Sequence, residues 1–115
     1  MVQQALSRMH AQRHEHRLAA RNGIEALPRL VDVMRGRSGQ SYKLRRLLFS
    51  LWSGTPGADL SDVVCFDWEV RRDLCRVLLG WGFEDHETKF FYSALEAALR
   101  SAGLMDWFQE EGGAS

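Results

Sequence analysis

"GQSYKLRRLLFSLWSG" occupies Gly39–Gly54, and its spacing decides the fold class. Leu44, Leu47, Leu48 and Leu51 recur at i, i+3, i+4 and i+7, which lays them on one face of an α-helix. Lys43, Arg46 and Ser50 fall on the other side. Ser41 suits the N-cap, because a serine oxygen accepts from the N–H groups that a helix start leaves unpaired. Gly54-Thr-Pro-Gly57 ends the element and is the strong loop signal of the chain. An apolar stripe of this kind has to be buried against other elements, so further helices are expected.

Upstream, Ile24, Leu27, Leu30, Val31 and Met34 form a second stripe, stopped by Gly36. Asn22-Gly23 reads as a break before it. Asn22 and Glu25 resemble a capping box, and Pro28 suits a first turn, so regular helix is expected from near Leu27. Residues 2–21 hold no Gly or Pro and many Gln, Ala, Arg and His, which predicts a separate polar helix with a thin apolar face and a fraying start.

Downstream, Asp59–Asp62 predicts one helical turn and Val63–Phe66 a short extended link. Asp67 is placed to cap a helix whose buried face is Val70, Leu74, Val77, Leu78 and Trp81, ended by Gly80 and Gly82. Asp85 or Thr88 caps the next, with Phe91, Leu95, Ala98, Leu99 and Ala102 inward. Gly103 is suited to end it, with Leu104 at the apolar position of a Schellman motif. A short last helix then lays Trp107 and Phe108 on the core, and residues 110–115 read as a frayed tail. The expectation is an all-α, compact single-domain bundle of about five helices over residues 1–115, with the polar helix of residues 1–21 loosely attached. At 115 residues such a chain buries enough surface for a core without staples. The two cysteines, Cys65 and Cys75, sit in apolar surroundings and are expected as buried, reduced thiols. No segment has the length of a membrane span and the N-terminus lacks a signal-like apolar run, so a cytoplasmic location and no membrane partner are expected.

The formal net charge is zero, but it divides unevenly. Residues 1–47 carry ten basic and three acidic side chains, and residues 48–115 carry five and twelve, giving +7 and −7. The halves either pair within one fold, steer charged partners, or let copies associate head to tail, a homodimer included.

Five groups of residues qualify as sites. Arg13, Arg17 and Arg21 repeat every four residues, a basic stripe suited to a phosphate backbone or an acidic protein groove. Glu84, Asp85 and Glu87 form an acidic edge. Trp68, one residue off its helix's apolar stripe, is the tryptophan expected to be exposed and available as an anchor. Gln40, Ser41, Tyr42, Lys43, Arg45 and Arg46 begin the second helix of what resembles a helix-turn-helix, where a nucleic-acid reader places its polar side chains. His10 and His14 have the spacing of a helical zinc pair but no evident third ligand, so no metal is expected. There is no phosphate loop and no nucleophile elbow. A non-catalytic protein without a cofactor is the expectation.

The run "GIEALPRLVDVMRGRSGQSYKLRRLLFSLWSG" (Gly23–Gly54), followed by "ADLSDVVCFDWEVRRDLCRVLL" (Ala58–Leu79), resembles a family of small uncharacterised proteins of proteobacterial plasmids, integrative elements and phages. The resemblance covers about half the chain and carries no functional residue with it. It implies an accessory protein of a mobile element that works by binding a host protein or a nucleoprotein complex. Inhibitors of host defence, such as anti-CRISPR proteins, are one such class. A helix-turn-helix-like DNA-binding regulator using Gln40–Arg46 is the alternative.

Overall fold

A computed structural model describes residues 2–81 and 85–113, with side chains placed for 2–81 and 91–110. The elements are α1 (Val2–Met34), α2 (Gly39–Ser53), a 3-10 turn (Leu60–Cys65), α3 (Trp68–Gly80), α4 (Asp85–Ala102) and α5 (Met105–Gly113). The all-α expectation holds, with no strand among the described residues.

The partition differs from the sequence reading at the N-terminus. The expected break at Asn22-Gly23 does not exist, and α1 runs unbroken for 33 residues. Gly23 is a packing residue instead of a stop. A Cβ there would lie 2.7 Å from both the Arg76 carbonyl oxygen and the Phe91 ring, so only glycine lets α3 and α4 come this close to α1. Gly80 makes the matching approach from α3, where a Cβ would meet the Ala19 carbonyl oxygen at 2.5 Å. Pro28 withholds one N–H from the Ile24 carbonyl, yet the helix continues. Leu27, Leu30, Val31 and Met34 around it are all buried, and that burial outweighs one lost hydrogen bond.

α3 lies antiparallel to α1, since Asp73 meets Arg29 while Gly80 meets Ala19. α4 runs parallel to α1, its Phe91 against Gly23 and its Ala94–Ala102 segment beside Pro28, Val31 and Arg35. All four predicted stripes enter one core, in which Leu27, Leu44, Leu74, Val77, Phe91, Leu95 and Leu99 are fully or almost fully buried. Leu78 is the exception. It is 45% exposed, because it faces a groove beside the 3-10 turn and not the centre.

α5 caps one end. Gly103 takes φ 74°, and the Leu104 N–H reaches the Leu99 carbonyl at 2.8 Å while the Gly103 N–H reaches Arg100 at 3.2 Å. This is the expected Schellman stop. It turns Phe108 inward against Phe49 and Trp52, at centroid separations of 5.7 and 5.6 Å. α5 continues to Gly113, past Glu110 where a frayed tail was expected.

Smaller corrections have local causes. Ser38, not Ser41, caps α2: its oxygen accepts from the Ser41 N–H at 3.1 Å, and Ser41 itself is buried. Of the expected extended link Val63–Phe66 only Phe66 is extended, because Leu60–Cys65 winds as a 3-10 turn behind Asp59, whose carboxylate accepts from the Ser61 N–H. Asp67 stands at the α3 N-cap position without a side-chain cap bond, its carboxylate being held by Gln40. Cys65 and Cys75 are free but exposed, not buried.

Candidate binding surfaces

The first half of α1 is the least expected feature. A 33-residue helix is about 50 Å long, and the molecule measures 54 × 28 × 25 Å. The buried and half-buried part of α1 starts at Ala19, Glu15 and Leu18 border a shallow pocket with Arg76 and Leu79, and each of residues 2–18 is exposed. The radius of gyration of 15.7 Å exceeds the roughly 13 Å of a compact chain of this size. This arm accounts for the difference. It carries exposed Val2, Leu6 and Met9 at i, i+4 and i+7, followed by Arg13, Arg17 and Arg21. The apolar and basic groups therefore follow one another along a single straight rod.

The arm is held by its continuation into the body. There Arg29 Nε and Nη2 donate to the two Asp73 carboxylate oxygens at 2.9 Å each, and Arg76 Nη1 adds a third bond at 2.7 Å. The hydrogen bond from Arg29 holds the Asp73 carboxyl below the usual carboxylate range, against the opposing pull of partial burial. The same bond raises Arg29. This cluster fixes α3 on α1 about three turns from where the arm leaves the body.

A second surface lies on the 3-10 turn and the start of α3. Trp68 is 70% exposed, as expected. Leu60 and Val64, at 74% and 70%, stand out beside it, and sequence reading missed them. Leu60 was expected in a helical turn and Val64 in an extended link, and neither expectation assigned them an exposed side chain. A shallow apolar groove of about 150 Å³ adjoins Leu60, lined by Leu47, Leu51, Ala58 and Leu78 among others.

The helix-turn-helix candidate is largely occupied by contacts within the chain. Gln40 binds Asp67 through both amide atoms, donating at 3.2 Å and accepting from the Asp67 N–H at 2.5 Å. Ser41 is buried against Ser38 at 2.9 Å. Lys43 faces Asp62 and the Cys65 sulfur, at 3.8 and 3.4 Å. Arg45 donates to the Met34 carbonyl at 2.6 Å and lies over the Tyr42 and Trp107 rings. Tyr42 and Arg46 remain as the exposed members.

His10 and His14 both lie on the exposed arm, and no group of three metal-ligating side chains occurs among the described residues. Glu84 lies outside the described residues, as do the side chains of Asp85 and Glu87. No helix among the described residues is long and apolar enough to cross a membrane.

No curated protein and no solved structure matches the chain. A family model does: residues 24–102 match DUF7673, a family of unknown function. That match begins after the arm and ends before α5, so it lies within the packed body.

Proposed function

The chain belongs to the DUF7673 family, and from that premise we propose that it is a non-catalytic binding protein of a mobile genetic element. It engages a host protein or nucleoprotein complex in the cytoplasm, in the manner of a defence inhibitor. The observation that carries this reading is the arm. A helix held rigidly at one end, with exposed apolar groups and an arginine stripe, has its ordering entropy already met in the free protein. It fits an acidic, partly apolar groove on a partner. The arginines add electrostatic steering toward such a site.

A tagged pull-down from a proteobacterial lysate, with and without nuclease, tests it. A partner should stay bound after nuclease, and Arg13→Glu/Arg17→Glu/Arg21→Glu should release it, while Glu84→Lys/Asp85→Lys/Glu87→Lys should not. Capture of nucleic acid alone, lost with nuclease and steeply salt-dependent, would replace this reading by DNA binding. Mutation of Tyr42 and Arg46 would then be the next step.

A further inference from the structure

The arm cannot fold back on its own body. α1 is helical from Val2 to Met34 without interruption, so residues 2–18 point away from the bundle that residues 19–34 hold. Among the described residues no part of the body covers Val2, Leu6 and Met9, which leaves them open to a surface of another molecule. The composition of the body shows one surface that fits. Residues 47–70 contain no lysine or arginine and four acids, Asp59, Asp62, Asp67 and Glu69; Lys43, paired with Asp62, and Arg71, bound to the Val64 and Phe66 carbonyls, offset part of that charge and leave Asp59, Asp67 and Glu69 without a basic partner among the described ion pairs. Within that stretch stand the exposed Leu60, Val64 and Trp68. Residues 2–21 contain four arginines and one acid, Glu15. Apolar groups are thus flanked by opposite charge on the two surfaces. Two arms laid side by side would instead bring arginine against arginine.

We propose that the arm of one copy docks on the 3-10 turn and the start of α3 of a second copy. Leu6 and Met9 cover Leu60 and Val64, and the arm's arginines face Asp59, Asp67 and Glu69. Two copies that exchange arms close the contact into a symmetric dimer and leave no arm uncovered. This rests on the arm as the binding element of the proposed function. Self-association then regulates that element, since a partner has to compete with the second copy.

Sedimentation of the purified full-length chain tests it without any host partner. The wild type should sediment as a dimer that dissociates as salt is raised. Leu6→Glu in the arm and Val64→Glu in the turn each change an exposed side chain. Each should weaken self-association roughly tenfold or more, with the helical circular dichroism unchanged. An equimolar mixture of the two variants should recover association, because one intact arm then meets one intact surface. A wild type that stays monomeric overturns the proposal, as do variants that remain dimers. Folded variants that fail to complement each other overturn it too. A monomer that still captures a host partner would remove the dimer and leave the binding function standing.

Discussion

Residues 2–18 and 19–34 belong to one helix, yet they meet opposite fates. The first half is polar and exposed, whereas the second buries Ala26, Leu27, Leu30, Val31 and Met34 against three other helices. Helix propensity is good on both sides of Asn22 and does not separate them. The separation lies in side-chain volume on the inward face and in the two glycines, Gly23 and Gly80, that let backbones meet. One half of α1 serves stability, and the exposed half is the one proposed for binding.

The comparison breaks most readily from the packed side. Leu30→Ala should cost about 3 kcal/mol, because Leu30 is fully buried and its neighbours are rigid helices. Denaturant unfolding would read this as a lower midpoint at unchanged slope. Gly80→Ala should cost about 2 kcal/mol. Its new methyl has backbone in front of it and not the end of a flexible chain, so α1 and α3 have to separate. The same measurement, with the crossing checked by crystallography, decides this.

Asp73→Asn should cost about 2 kcal/mol at neutral pH, where it weakens bonds to two arginines. Here the pH dependence sharpens the test. The folded carboxyl titrates below the unfolded one, so its contribution is fully present above about pH 4 and is lost as pH falls through the folded value. Asp73→Asn should therefore close its gap to the wild type in acid, in thermal melts across pH 2–7. A gap that stays constant would assign the loss to packing.

The smallest effect belongs to the arm. In the monomeric Val64→Glu background, Leu6→Ala should change unfolding free energy by less than about 0.5 kcal/mol. Hydrogen exchange of that monomer should show lower protection for residues 2–18 than for residues 24–34, whose protection should be near-global. Strong protection in the arm of a monomer would erase the contrast between the halves.

The stripes of the core were legible because burial imposes a period, and the period survives in sequence whatever the elements pack against. The continuity of α1 was not. Asn-Gly has the same appearance whether glycine ends a helix or admits a neighbour, and Arg76 and Phe91, which decide between the two, are more than fifty residues away. Ser41 was read as the cap in place of Ser38 for a similar reason, since either serine can cap a helix until the turn is built. For the binding surfaces, charge and the exposure of Trp68 were readable. Leu60 and Val64 were not, because exposure of an apolar side chain depends on a local winding that composition does not encode.

Trp68 has a practical consequence. Trp52 and Trp107 pack in the α5 aromatic cluster, and Trp81 lies against Phe91, while the indole of Trp68 stands in water on the surface assigned to the arm of a second copy. Its emission should lie to the red of the other three and respond most to quenchers added to the solvent. The molecule thus carries an intrinsic optical probe at the point of contact. A shift of that component to the blue on raising protein concentration would report docking without a label.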